Sequence, residues 1–165
     1  IQAILLTHGH SDHVGGVVHL YETFPSVPVY LHRDDQKAAA RITGPGTVFH
    51  DYPDNGRLST GKLMFQVIST PGHSPGSVCL RSGETLFSGD TLFAGTIGKA
   101  CGDNPAQREA GLRREVKNIK DRLLTLPSLT RVYPGHGPAT TIGREKTSNR
   151  FLTMEDTLLP PSTGH

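Results

Sequence analysis

The chain has no tryptophan, two cysteines, four tyrosines and six phenylalanines in 165 residues. Cys79 and Cys101 form no C-x-x-C pair, and two cysteines do not make a disulfide framework. Charge of one sign is also lacking. The net charge is +2 with neutral histidines, and no basic run exceeds Arg113–Arg114. With so few aromatics, this excludes a nucleic-acid surface. No apolar run approaches the ~18 residues of a membrane span, so no membrane partner is expected. No leader is visible, and the expected setting is cytoplasmic. Glycine (19) and proline (12) are plentiful, with 35% hydrophobic and 19% charged residues. Such a composition belongs to a globular chain with many turns, the usual ground for a site built on loop ends. The length predicts one domain over 1–165. Its first residues, IQAILLT, already read as a strand in progress, so the domain is expected to be N-terminally incomplete.

The apolar run 1–7 predicts a buried strand, and 13–24 a helix stopped by Pro25. A second strand is expected over 28–32. A helix follows, with Asp34 or Asp35 as its cap. Residues 43–61 read as a long loop in which Tyr52 and Arg57 could cover a site. Runs at 63–70, 77–82 and 84–90 form a hairpin-like series. An irregular loop over 91–105 precedes the clearest helix, 106–126, where Leu112, Val116, Ile119, Leu123 and Leu126 recur at steps of three and four. A strand at 131–133, a PGHGP turn and a helix capped by Thr140 or Thr141 complete the order. Strands and helices alternate first and strands then run together, which gives an α/β class with a mixed sheet.

Residues 7–13 read THGHSDH, placing His8, His10, Asp12 and His13 directly after a strand. On extended backbone, residues two apart point the same way. Imidazole and carboxylate are the ligands that zinc, iron and manganese accept. Three further positions share one setting, a ligand residue in a Gly/Pro turn after a strand: His73 in TPGHSPGS, Asp90 in SGDTLF and His136 in PGHGP. Seven ligands suit two divalent ions. His8, His10 and His73 would hold one, Asp12, His13 and His136 the other, with Asp90 between them. Each ion keeps an open position, as a catalytic site requires. Ions roughly 3.5–4 Å apart can hold a bridging hydroxide that attacks a carbonyl at neutral pH. Gly72, Gly89 and Gly135 each precede a ligand and are read as backbone-permissive positions that aim it. Cys79 is expected in the core, Cys101 in a loop, and His19, His32, His50 and His165 at the surface or in packing.

These four motifs, in this order, resemble the metallo-β-lactamase-fold hydrolases over residues 1 to about 150. The resemblance implies an αββα sandwich with mixed sheets and a binuclear site at one edge, with zinc the first expectation and iron or manganese compatible. Within that family the chain looks most like short glyoxalase II-like (hydroxyacylglutathione hydrolase-like) thioester hydrolases. Lys99 stands nine residues after Asp90, where a lysine of that group binds the carboxylate end of glutathione. Ala100 and Cys101 replace the aromatic pair of glyoxalase II, and its long C-terminal helical region has no counterpart, so the chemistry carries over better than the substrate. The resemblance also implies that N-terminal strands are lacking. An edge and an apolar face would then be open to self-association or to a partner chain.

Three functions are therefore carried forward. The first is a binuclear hydrolase of thioesters such as S-lactoylglutathione-like compounds, with Asp12 orienting the hydroxide as well as ligating. The second is a persulfide dioxygenase-like oxidoreductase with one iron at His8, His73 and Asp90, although GKACGD stands where that group carries Gly-Arg-Thr-Asp. The third is a truncated, non-catalytic metal-binding domain.

Overall fold

Alternating side chains over 63–89 build the larger of two main sheets. In the computed structural model, which describes residues 1–53 and 56–154, β5 (Leu63–Ser69), β6 (Val78–Ser82) and β7 (Thr85–Gly89) run antiparallel in sequence, as expected. β4 (Arg57–Thr60) pairs with β5 on one side. On the other, β10 (Arg131–Pro134) lies parallel to β7, and β11 (Thr140–Thr141) closes the order β11-β10-β7-β6-β5-β4. The smaller sheet is parallel: β1 (Ile4–Leu5), β2 (Val29–Tyr30) and β3 (Phe49–His50). A hairpin of β8 (Leu92–Phe93) and β9 (Thr96–Ile97) follows β7.

Three apolar clusters define four layers. Phe65, Val67, Val78 and Leu80 face Tyr52 and Leu5 between the two sheets. Cys79, Leu86 and Val132, one register position away, face the opposite side and pack on Leu112, Val116 and Ile119. These last residues belong to α4 (Pro105–Asn118) and the π-helical turn Ile119–Leu123 that prolongs it. On the outer side of the small sheet, Leu6, Val29 and Leu31 meet Val14, Val17 and Ala39, from α1 (Ser11–Val14), α2 (Val17–Thr23) and α3 (Arg33–Thr43). Two short helices, α5 (Ile142–Ser148) and α6 (Arg150–Thr153), complete the layer with α4. The result is the expected αββα sandwich, whose larger sheet is mixed. The single domain expected over 1–165 reaches past the described residues, and His165 lies outside them.

Several local expectations are corrected. The helix expected over 13–24 is two helices, because consecutive glycines at 15 and 16 remove the side chains that favour continuation. The loop 43–61 contains β3 and β4, and 91–105 contains the β8–β9 hairpin. Tyr52 is no lid residue: it is 2% exposed and donates its hydroxyl to the Leu6 carbonyl. Arg57 lies in edge strand β4. Neither Asp34 nor Asp35 caps α3; the His32 ring accepts from the Asp34 N–H. Thr141 caps α5 as expected, accepting from the Arg144 N–H.

Among the described residues β1 pairs only with β2. Beside β1, Phe87 and Tyr133 stand half-exposed on the inner face of the large sheet, 5.9 Å apart, where they line a cleft of about 380 Å³.

Candidate metal centre

Sheet order decides where the ligand loops go. β5 and β7 each run antiparallel to β6, and β10 runs parallel to β7. The C-terminal ends of β5, β7 and β10 therefore share one edge. The turn with His73 follows β5, Asp90 follows β7, and His136 follows β10. β1 delivers THGHSDH to the same edge, where the Thr7 carbonyl accepts from the Val78 N–H.

All seven histidines and aspartates singled out in the sequence meet there. His8, His10 and His73 form one group, Asp12, His13 and His136 a second, and His8, His13 and Asp90 a third that joins them; within each, the ligand-type atoms lie within 4.8 Å of one another. His73 Nε2 is 3.2 Å from His8 Nε2 and 2.9 Å from His10 Nδ1. His136 Nε2 is 2.9 Å from Asp12 Oδ2. Asp90 stands between the groups: Oδ1 is 3.3 Å from His13 Nε2, and Oδ2 is 3.6 Å from Nε2 of both His73 and His136.

The protonation states suit ligands. Burial, reinforced by His13, His73 and His10 and opposed by Asp12, pushes the His8 pKa down to about 2. Burial also lowers that of His73, against the hydrogen bond to the Lys99 carbonyl. That bond, 2.8 Å from Nδ1, assigns the ring proton to Nδ1 and leaves Nε2 with its lone pair toward His8 and His10. For Asp12, desolvation is outweighed by the sum of its own peptide N–H, His13 and His136, so its carboxyl sits below the ordinary value. Two buried atoms at the centre, His13 Nε2 and Asp90 Oδ1, have no hydrogen-bond partner among the described residues. A cation between the converging nitrogens and carboxylate oxygens would give these two atoms the partner they lack. The donor set of imidazole and carboxylate thus fits divalent metal.

Of the glycines beside the candidate ligands, Gly89 acts as expected and Gly72 and Gly135 do not. Gly89 has a φ of +50° and so needs the conformational freedom of glycine. Gly135 needs the space instead: a Cβ there would run into Asp90 Oδ1 and come within 2.6 Å of His13 Cε1. Gly72 lies against the Cα and Cβ of Glu115 in the same way. Lys99 has an exposed side chain and reaches the centre through its carbonyl. Cys79 is buried in the core and Cys101 lies in a loop, as expected, and Cys101 is exposed.

Two residues at the centre escaped sequence reading. Asp35 is 3% exposed and accepts from the Gly9 N–H at 2.9 Å, the Ser74 hydroxyl at 2.6 Å and the Gly76 N–H at 2.8 Å. Its position at a helix start hid this role. Glu115 is fully buried, and neither of its oxygens has a hydrogen-bond partner among the described residues. Burial pushes its carboxyl well above the usual range; the nearby Gly98 N–H, which bonds the Thr91 carbonyl instead, only weakly works against this, and the charge of Asp90 adds to it. The regular spacing of leucines around it in α4 gave no signal of a buried acid.

Among the described residues no helix is long and apolar enough to cross a membrane. The model of the Metallo-beta-lactamase superfamily matches residues 1–136. A probable metallo-hydrolase of Bacillus subtilis, YqgX, is 37% identical over 164 residues, covering 91% of this chain and 75% of its own. A hydroxyacylglutathione hydrolase of Xylella fastidiosa is 39% identical over 134 residues, covering 81% of this chain and 46% of its own. Among solved structures, the BLEG-1 B3 metallo-beta-lactamase superposes with a TM-score of 0.75 at 38% identity, and TTHA1623 in a di-iron-bound form with 0.72 at 43%; each match covers 92% of this chain and 77% of the other. The motif order, the four layers and these matches agree, and the chain belongs to the metallo-beta-lactamase superfamily.

Proposed function

We propose that the chain is, as one domain, a binuclear metal-dependent hydrolase of thioesters, with S-lactoylglutathione-like compounds as the substrate class. The observation that carries this reading is the pairing of two three-residue ligand groups across Asp90. His8, His10 and His73 would hold one divalent ion, Asp12, His13 and His136 the other, and Asp90 both. Zinc is the first choice, with iron and manganese accepted by the same ligands. The likeness to a hydroxyacylglutathione hydrolase and the place of Lys99 after Asp90 support the thioester class.

Bound there, two divalent cations lower the pKa of water and polarise a carbonyl. The chain's own residues do the rest. Water oxygen adds to the acyl carbon, the C–S bond breaks, and the products are a carboxylic acid and a thiol. Asp12, half-exposed and 2.9 Å from His136 Nε2, orients the attacking water, takes up its proton and passes it to the leaving sulfur. The Lys99 ammonium receives the carboxylate of the thiol half. The neutral state of His8, set by burial, keeps its nitrogen available as a ligand through the physiological range.

The test pairs metal content by mass spectrometry with hydrolysis assays on the same sample, using S-D-lactoylglutathione, a simple aryl ester and a β-lactam. About two ions per chain and thioester turnover that a chelator abolishes support the reading. Turnover of the β-lactam alone moves the substrate class toward that of the BLEG-1 neighbour. One iron with oxygen uptake on a persulfide, or no metal and no turnover, overturns it.

A further inference from the structure

We infer that Asp35 is a positioning residue that locks two ligand loops together and so sets the geometry of the His8, His10 and His73 group. This rests on the binuclear reading above. The three bonds to Asp35 cross 26, 39 and 41 residues of sequence. Their donors sit beside the ligands: Gly9 lies between His8 and His10, Ser74 follows His73, and Gly76 ends the same turn. Ser74 is fixed in turn by Ser77, whose hydroxyl lies 2.7 Å from its own and accepts from its N–H at 3.0 Å.

Space as well as bonding joins the loops at this carboxyl. A Cβ on Gly9 would lie 2.9 Å from the Asp35 carbonyl oxygen, and one on Gly76 would lie 2.8 Å from Asp35 Cγ. Both loops are therefore packed against one residue with no room for even a methyl group. The side chain turns away from its own helix α3 and makes no hydrogen bond to Asp12, His13 or His136 among the described residues. The second ligand group hangs from α1 and from the turn after β10 instead.

The chemistry requires an acceptor. Oδ1 receives one N–H, and Oδ2 receives an N–H and an O–H. An amide of the same shape would turn its NH₂ toward one of these peptide donors whichever way it flipped. The loops would then part by a few tenths of an ångström, and His73 would no longer meet His8 and His10. Partners of this kind, behind the ligands, are typically worth about 10–100-fold in metal affinity.

The experiment measures zinc affinity by competition with a chromophoric chelator, and the cobalt(II) absorption spectrum, on the full chain and on Asp35→Asn and Ser74→Ala. In the wild type two ions bind. In D35N one ion weakens about 10–100-fold and the other keeps its wild-type affinity. S74A weakens the same ion by less, and decides the matter if D35N does not fold. Parallel loss of both ions, or no change in either, overturns the role of Asp35. A wild type that holds one ion overturns the binuclear reading alone. Asp35 is then judged on that ion, for which unchanged affinity in both variants overturns it. A wild type that holds none overturns both.

Discussion

His73 Nε2 lies 3.2 Å from His8 Nε2 across 65 residues of sequence, with the two rings edge to face. Both rings are buried, and burial disfavours a proton on either. With the His73 proton held on Nδ1 by the Lys99 carbonyl, His73 Nε2 is left with its lone pair toward His8. Strand order holds the two nitrogens at a distance from which both could turn to a shared cation.

Removing either ring should therefore cost metal more than fold. His73→Ala is expected to drop metal content from about two ions to one. Turnover should fall by at least the ~10–100-fold that outer partners alone are worth. Thermal stability in chelator should fall only modestly, through the loss of one buried ring and its bond to the Lys99 carbonyl. Mass spectrometry and a melting curve in chelator test both halves. A variant that still binds two ions tightly would show that His73 is not a ligand.

Gly135→Ala tests the second ligand group through space alone. The added methyl would collide with Asp90 Oδ1 and press on His13 Cε1. Overpacking of this kind costs roughly 1–3 kcal/mol. The expected outcome is weakened binding of the ions that Asp90 and His13 serve, with the fold retained by circular dichroism. Wild-type metal affinity in G135A would mean that the turn relaxes freely and that glycine is not required there.

Lys99→Ala addresses the substrate. The backbone carbonyl at 99 would still hold His73, so metal content should stay at the wild-type level. If the ammonium receives a carboxylate on the thiol half, KM should rise about tenfold, a loss of roughly 1.4 kcal/mol, with kcat nearly unchanged. The effect should vanish with a thioester lacking that carboxylate. Equal losses on both substrates would remove the lysine from substrate recognition.

The candidate site was more legible in the sequence than the scaffold around it. Ligand-type residues are chemically conspicuous: His73, Asp90 and His136 stand in Gly/Pro turns after apolar runs, and β5, β7 and β10 end at one edge because β5 and β7 both oppose β6 and β10 follows β7. β3 and β8 were not legible because two-residue strands carry no period. The split at Gly15–Gly16 was masked by valines that kept the apolar face apparently continuous. Asp35 resembled a helix cap, and only tertiary structure brings Gly9 and Ser74 to it. Glu115 resembled one more charge on an amphipathic helix, yet it lies on the buried face.

Glu115 gives stability a pH dependence whose sign follows from burial. Unfolded, its carboxyl loses the proton near pH 4.5; folded, it keeps the proton to well above that. Between these values the native state binds more protons than the unfolded state, so stability falls as pH rises. Glu115→Gln removes the titration. Histidines contribute equally to both proteins and cancel in the comparison. The melting temperature of E115Q minus that of the wild type, measured in chelator, should grow from pH 5 to pH 8. The limit is set by an unsatisfied buried polar group, roughly 1–3 kcal/mol, at about 2–4 °C per kcal/mol for a chain of this size. Parallel curves across that range would mean that Glu115 finds a partner on folding and ionises at its ordinary pH.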